Sequence, residues 1–232
     1  DGLNTIIPFT SEYYYDLRPT LAVEKNKVIK LSNNLGLNPS MEALMKIWEK
    51  GNLAIVNGVG YPKPNRSHFR SIEIWETASD SDEYLYDGWI YEVFKKSKAL
   101  QSHSISSIIT AQGDEGPLRG AQMKNLFIEN IEQFIKQAKS LKKLSSTTNN
   151  KALEHILNVE SEIFESSREI EKNIKNMYKF NTEFPKTSLG KQFIVASNLI
   201  STSLDIPVMK LSLTGFDTHV NQRENHDKLL KE

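Results

Sequence analysis

Ser67 is the side chain in this sequence whose position best suits a nucleophile. It follows the apolar run Leu53–Val59 and a proline-rich loop, and a helical pattern begins directly after it. The N-terminus of a helix has unpaired N–H groups and a positive dipole end, which suit an anion and favour the alkoxide of an attacking serine. Lys63, Arg66 and Arg70 add positive charge nearby. The alternative, that Ser67 only caps the helix, stays open because serine is a preferred N-cap residue; the two roles are compatible.

Asp217 and His219 are the second candidate, as metal ligands. They come after the apolar run Pro207–Leu213, and ligands of open α/β sheets collect beyond the carboxyl ends of strands. Aspartate oxygens and histidine nitrogens bind zinc, manganese and similar divalent ions. His226 lies further along, on a predicted helix that could turn it back toward the site. Alternatively, Asp217 caps that helix and both histidines are solvated.

Two other residues have weaker signals. His68 neighbours Ser67 and could orient a substrate or act as an acid. Asp1 begins an Asp-Gly pair, which by itself indicates only a turn.

The elements that would position these residues alternate between helix and strand, which is typical of α/β proteins. A short helix ends at Gly51, and the apolar, β-branched run after it predicts a buried parallel strand. The predicted strands are Leu53–Val59, Ser104–Thr110 and Pro207–Leu213. The predicted longer helices are Ser67–Thr77, Gln122–Leu144, Lys151–Tyr178, Leu189–Leu204 and Arg223–Leu230. The second and third of these helices could pair as a helical hairpin.

Five segments in order carry a resemblance to a known family. They are Asp1–Pro8, Tyr14–Pro19, Asn65–Thr77, Gly88-Trp89 and Gly215–Leu230. The third contains Asn-Arg-Ser-His-Phe and Ile-Trp-Glu-Thr, and the last contains Gly-Phe-Asp-Thr-His-Val-Asn-Gln. These resemble the Ser-Arg-Ser-His-Phe…Trp-Glu-Thr and Gly-Trp-Asp-Thr-His-x-Asn-Gln elements of the domain-of-unknown-function 1501 family. That family is grouped with the alkaline-phosphatase and sulfatase superfamily.

The resemblance implies an α/β fold with a central, mainly parallel sheet flanked by helices and a long helical insert at about residues 120–185. It also implies a single alkaline-phosphatase-like domain over residues 1–232 that is truncated at both ends, so that the sheet is incomplete. The family's later Ser-Glu-Phe-Gly-Arg and Asp-His-Gly elements, which would supply further metal ligands, do not occur in this sequence.

Site roles also follow from the resemblance, position by position. Ser67 matches the nucleophile, with Arg66, His68 and Arg70 around it as the other catalytic candidates. The matches to metal ligands are Asp1, Asp217, His219 and His226. The implied cofactor is a divalent metal, with zinc, manganese and calcium as the candidates.

Composition excludes some classes of function. Lys+Arg and Asp+Glu both number 29, so the basic excess of a nucleic-acid-binding protein is absent. No apolar run approaches the roughly 18 residues of a membrane span. Cysteine is absent, which excludes disulfides, thiolate metal sites and a cysteine nucleophile.

Together, the candidate residues and the resemblance imply a metal-dependent hydrolase of phosphate or sulfate esters, acting on a small-molecule or glycan ester. The resemblance implies a periplasmic or otherwise exported protein, because the family often uses the twin-arginine route. The alternative is a non-catalytic exported protein that keeps the fold and binds a glycan or a partner protein, through the aromatic residues Tyr13–Tyr15 and the helical insert.

Overall fold

The chain combines helices with two small sheets. The computed structural model describes residues 2–141, 149–174 and 180–232. The strands are β1 (Ile6–Ile7), β2 (Ile29–Lys30), β3 (Gly36–Leu37), β4 (Ser107–Ile109), β5 (Asn125–Phe127) and β6 (Val208–Lys210). The α-helices are α1 (Gly2–Thr5), α2 (Glu12–Asp16), α3 (Met45–Glu49), α4 (His68–Thr77), α5 (Trp89–Lys96), α6 (Lys98–Gln101), α7 (Ile131–Ser140), α8 (Lys151–Ile174), α9 (Ser188–Ile200) and α10 (Gln222–Lys231). Two 3-10 helices span Pro39–Leu44 and Gly116–Leu118.

The chain divides into two compact units. The first unit consists of Asp1–Val59 and Leu213–Glu232, and the second consists of Gly60–Ser212. The single domain expected over residues 1–232 stays a prediction.

The first unit contains a small antiparallel sheet in the order β1-β3-β2. Gly36 allows β3 to pack closely, because a Cβ atom there would lie 2.3 Å from Val28 Cγ1. The core beside this sheet is a cluster of buried side chains, namely Ile7, Phe9, Tyr14, Val23 and Val28. Its one polar member, the Tyr14 hydroxyl, donates to Asn4 Oδ1 at 2.7 Å and accepts from the Val23 N–H at 2.9 Å.

The predicted strand Leu53–Val59 is wrong. The segment is irregular, and Val56 and Val59 are 78% and 60% exposed. The helix before it was anticipated correctly, since α3 is followed by Gly51 at a φ of 70°. An apolar, β-branched run becomes a strand only where a neighbouring strand supplies hydrogen-bond partners for its backbone. None of the strands described pairs with Leu53–Val59.

The second unit contains a parallel sheet in the order β5-β4-β6. The predicted strands around Ser104–Thr110 and Pro207–Leu213 are confirmed as the shorter β4 and β6. Helices α7, α8 and α9 pack on this sheet through a shared cluster: Ile105, Ile108, Leu126, Ile128, Ile131, Ile170, Val195 and Leu199. The α/β class with a parallel sheet flanked by helices is thus confirmed. Over the described residues the sheet has three strands, which is less than a full alkaline-phosphatase sheet.

The predicted helix Gln122–Leu144 is wrong in its first part. Asn125–Phe127 is strand β5, and the helix begins only after Asn130, whose side chain accepts from the Gln133 N–H at 2.8 Å. The insert expected at about residues 120–185 is therefore not wholly helical. A parallel partner, β4, overrides the helical spacing here, because pairing buries Leu126 and satisfies its backbone.

The helical hairpin is confirmed. Helix α8 lies against α7, and Lys139 of α7 forms an ion pair with Glu171 of α8 at 2.5 Å. The predicted helices also ran through residues 142–144 and 175–178, which lie outside the described residues. Throughout the described part of the chain, no helix combines the length and apolarity that crossing a membrane requires.

Candidate functional site

Ser67 lies where the sequence predicted, at the start of α4 in the second unit. It is the N-cap residue, with φ −71° and ψ 124°, and its hydroxyl accepts from the Arg70 N–H at 3.5 Å. The backbone before the helix is held by Asn65, whose side-chain oxygen accepts from the Ser67 N–H at 2.8 Å. The capping role is confirmed. Because the capping bond is long, it only weakly engages the hydroxyl, which is exposed to solvent.

The Arg70 side chain is buried, and its guanidinium donates hydrogen bonds within the protein. It is 7% exposed, and its guanidinium donates to Glu73 Oε2 at 3.1 Å and to the carbonyl oxygens of Asp80 and Glu83. The guanidinium carbon also lies 3.9 Å from the centre of the Tyr84 ring. These contacts make Arg70 an anchor for the loop that follows α4.

Arg66 and His68 flank Ser67 and are both exposed. His68 is the first residue of α4, and Arg66 precedes the cap. Three of the four catalytic candidates, Ser67, Arg66 and His68, therefore have exposed side chains at the start of α4. The fourth, Arg70, is buried and its guanidinium is already hydrogen-bonded. Their catalytic roles stay predictions.

Asp217 and His219 are adjacent in the first unit. His219 Nε2 lies 2.9 Å from Asp217 Oδ1, and both side chains are more than half exposed. A turn brings them together: the Thr218 N–H donates to the Phe216 carbonyl at 3.0 Å. Asp217 does not cap α10, because the N-cap position is Asn221, which has a φ of 50°. The structure thus removes the alternative in which Asp217 serves only as a helix cap.

The pair opens onto a hollow of about 470 Å³ in the same unit. Its lining is Gly215, Asp217, Thr218, His219, Val220, Asn225, Lys228 and Leu229. Lys228 brings an ammonium group to the hollow and pairs with Glu224 at 2.7 Å, which lowers the pKa of the Glu224 carboxyl. The hollow therefore combines a carboxylate, an imidazole and a cation.

The donor atoms of this pair fit a divalent metal. Two ligands of one tetrahedral zinc, each about 2.1 Å from the ion, lie about 3.4 Å apart, so the 2.9 Å between Asp217 Oδ1 and His219 Nε2 would have to widen by about 0.5 Å around such an ion. Asp217 and His219 are exposed, and each offers one ligand atom to such an ion. The same separation also suits a hydrogen bond between imidazole and carboxylate. Asp217 and His219 would supply two of the three protein ligands that a catalytic zinc uses.

His226 lies in the core of the first unit and does not line the hollow. It is 2% exposed, its Nε2 lies 3.3 Å from the Thr5 hydroxyl, and its ring meets Phe216 edge to face. Burial lowers the pKa of the imidazole, because an apolar environment disfavours the charged form. Its assignment as a metal ligand stays a prediction. Asp1, the remaining predicted ligand, lies outside the described residues.

The sequence reasoning did not identify Asn225 and Lys228 as neighbours of the pair. Both lie in the first two turns of α10, and Asn225 Nδ2 donates to the Val220 carbonyl at 2.9 Å. Their spacing of three residues places them on one side of a helix, which could have been noticed once Asp217 was considered as a ligand. The turn that brings residues 215–220 next to α10 could not be predicted from the spacing of side chains in the sequence.

Comparisons with models of protein families, with curated proteins and with solved structures found no match for this chain.

Proposed function

We propose that the protein is a metal-dependent hydrolase of phosphate or sulfate esters. The observation that supports this most directly is the Asp217–His219 pair, with its 2.9 Å separation, at an open hollow that also holds Lys228. In this proposal Asp217 and His219 hold a divalent metal, zinc or manganese by the chemistry of their donors. When bound, the metal supplies Lewis-acid stabilisation of charge on an ester oxygen.

The resemblance to the domain-of-unknown-function 1501 family contributes the rest of the proposal, including an alkaline-phosphatase-like fold and an exported location. It assigns the nucleophile to Ser67. The supporting observations are an exposed hydroxyl, a long capping bond and the positive end of a ten-residue helix. In this proposal Ser67 Oγ attacks the phosphorus or sulfur, its proton passes to the ester oxygen, which leaves as the alcohol, and water then hydrolyses the serine ester to regenerate the Ser67 hydroxyl and release phosphate or sulfate.

The metal half of the proposal is tested by titrating the purified protein with Zn²⁺ and Mn²⁺ in a calorimeter. We expect about one ion per chain and a loss of affinity of about tenfold or more in Asp217→Asn and in His219→Gln, since each removes one ligand. His155→Gln removes an exposed histidine of α8 and serves as the matched control. Equal affinities in all four proteins would contradict the metal site.

The nucleophile is tested separately with panels of aryl phosphates and sulfates in the presence of added divalent metals. Ser67→Ala should abolish hydrolysis. Ser67→Asn keeps an N-cap side chain but has no hydroxyl, so it should preserve the helix and still abolish activity. Full activity in Ser67→Asn would show that Ser67 is not the nucleophile.

A second candidate function is that of a non-catalytic exported binding protein. Tyr13 favours it, since its ring is 79% exposed, although Tyr14 of the same patch is buried and bonded to Asn4. Elemental analysis separates the two functions, because stoichiometric metal that depends on Asp217 and His219 supports the hydrolase and its absence supports the binding protein.

A further inference from the structure

The irregular segment Leu53–Val59 contains Asn57 followed by Gly58, the one Asn-Gly pair in the sequence. Asparagine is among the chemically labile residues of proteins, because its side-chain amide can react with the backbone nitrogen of the next residue. A glycine in that next position has no Cβ atom and lets the two groups approach closely. The fold decides whether such a pair is protected or left able to react.

The reacting groups of this pair are not protected by hydrogen bonds. Asn57 and Gly58 are both exposed. Within the described residues, neither the Gly58 N–H nor the Asn57 side-chain amide makes a hydrogen bond. Most backbone N–H groups of a folded chain are bonded, and such a bond would have to break before the nitrogen could react. The Gly58 nitrogen is therefore available without any local unfolding.

The space around Gly58 is open as well. A Cβ atom placed there would have no heavy atom within 4 Å apart from its chain neighbours. The backbone has a φ of 72°, a left-handed conformation that glycine adopts without strain. On that side of the backbone, nothing beyond the adjacent residues obstructs the approach of the Asn57 side chain.

Two other asparagines of the first unit show what the reaction needs. Asn38 is 1% exposed, its amide is hydrogen-bonded, and it precedes Pro39, which has no N–H. Asn52 is exposed like Asn57, but it precedes Leu53, whose side chain crowds the approach to the backbone nitrogen. Exposure, unbonded groups and a following glycine coincide at Asn57.

We propose that Asn57 is a site of spontaneous modification, at which the folded protein converts the asparagine to aspartate and isoaspartate. The Gly58 nitrogen forms a bond to Asn57 Cγ, the bond from Cγ to the side-chain nitrogen breaks, and ammonia leaves with the proton of the Gly58 N–H. Water then adds to either carbonyl carbon of the resulting succinimide ring and opens it. The products are aspartate and isoaspartate, and water is the only co-reactant.

The modification changes the charge of a hollow in the first unit. Asn57 and Gly58 line this hollow of about 580 Å³, whose walls also include Leu3, Ile6 and Arg18. One neutral amide becomes one carboxylate, so the formal net charge of the chain falls from zero to minus one. The modification is independent of the ester hydrolysis proposed above, because neither residue lines the Asp217–His219 hollow or belongs to α4.

The test is to age the whole purified protein at neutral and at mildly alkaline pH and to map its peptides by mass spectrometry. We expect a gain of one dalton at Asn57, faster at the higher pH because the attacking nitrogen must lose its proton. The same incubation in urea gives the rate for the unfolded chain. The two rates should agree within about fivefold, because a protecting hydrogen bond that contributes about 1 kcal/mol would slow the folded chain by that factor.

Asn52 is the internal control, and fragmentation of the peptide should show that it keeps its amide while Asn57 converts. Asn57→Gln should prevent the acidic form that ageing produces on an anion-exchange column, and Asn57→Asp should elute with that form. The proposal is overturned if the Asn57 amide outlasts that of the unfolded chain by more than the stated factor. It is also overturned if Asn52 reacts as fast as Asn57, or if the acidic form still appears in Asn57→Gln.

Discussion

Buried polar side chains of the first unit form hydrogen bonds that join segments distant in sequence. Asn4 accepts from the Tyr14 hydroxyl and donates to the Leu21 carbonyl at 3.0 Å. Asn38, which is 1% exposed, donates to the Asn4 carbonyl at 2.8 Å and to Asp227 Oδ1 at 2.9 Å. Removing one partner from such a network leaves another buried group unsatisfied, which costs about 1–3 kcal/mol. These residues therefore hold α1, α2 and α10 in place for structural reasons.

At the same scale, His226 should make the stability of the protein depend on pH. Its pKa is lowered from 6.5, chiefly because burial disfavours the imidazolium, with Asp227 opposing the shift. On acidification, His226 is protonated in the unfolded chain before it is protonated in the folded chain. The stability associated with the neutral, buried imidazole is therefore fully present above about pH 6.5 and is lost as the pH falls toward the pKa of the folded state. We expect the loss of stability on acidification to be smaller in His226→Gln than in the natural protein.

The measurement is urea unfolding between pH 5 and pH 8, followed by circular dichroism. His155→Gln is the control, because it makes the same replacement at an exposed position of α8. Identical pH profiles for His226→Gln and the natural protein would contradict the role of His226.

At the scale of elements, the sequence located the strands β4 and β6 and the starts of α4, α8, α9 and α10 to within one residue, but it misplaced the start of α7 and missed β5. Ser67, Asn130 and Thr187 all occupy N-cap positions with a side-chain bond, since a cap needs only a short polar residue and the backbone beyond it. The strand predicted at Leu53–Val59 is absent, and strand β5 lies in a segment that was predicted to be helical. A strand needs a partner strand that is distant in sequence. The spacing of apolar residues within a segment does not show whether that partner is present.

The cap of α7 gives a prediction at this scale. Asn130→Ala removes the acceptor of the Gln133 N–H and should lower the free energy of unfolding by about 1 kcal/mol. Urea unfolding measures the change. Asn181→Ala, at an exposed position outside any helix or strand, should have almost no effect, and an equal loss in the two variants would argue against the cap.

At the scale of the whole molecule, each unit has its own core. The larger core is centred on β4, where Ile108 is fully buried in the middle strand of the parallel sheet. Its side chain contributes to the packing of helices α7, α8 and α9 against that sheet. Close-packed interiors relax only partly when a core side chain is replaced by a smaller one. A cavity at Ile108 should therefore lower the free energy of unfolding strongly.

We expect Ile108→Ala to cost roughly 2–5 kcal/mol of unfolding free energy, as is typical of large-to-small changes in a core. Ile72→Ala on α4 is the matched control, since Ile72 is 53% exposed and the change should stay within about 0.5 kcal/mol. Denaturant unfolding of both variants gives the comparison. A cost for Ile108→Ala no larger than that for Ile72→Ala would contradict the assignment of Ile108 to the core.

The sequence by itself determined the mixed α/β class, the strands β4 and β6, the starts of α4, α8, α9 and α10, and the capping role of Ser67. Those features depend on side-chain periodicity and on bonds to the next few backbone groups, which local sequence specifies. Only the tertiary structure decided that Leu53–Val59 is irregular, that Arg70 is buried under the loop after α4, and that His226 packs in a core and does not line the hollow. It also decided that Asp217 and His219 meet at 2.9 Å. Burial and side-chain proximity depend on which distant segments pack together, and that choice is made by the free energy of the whole chain.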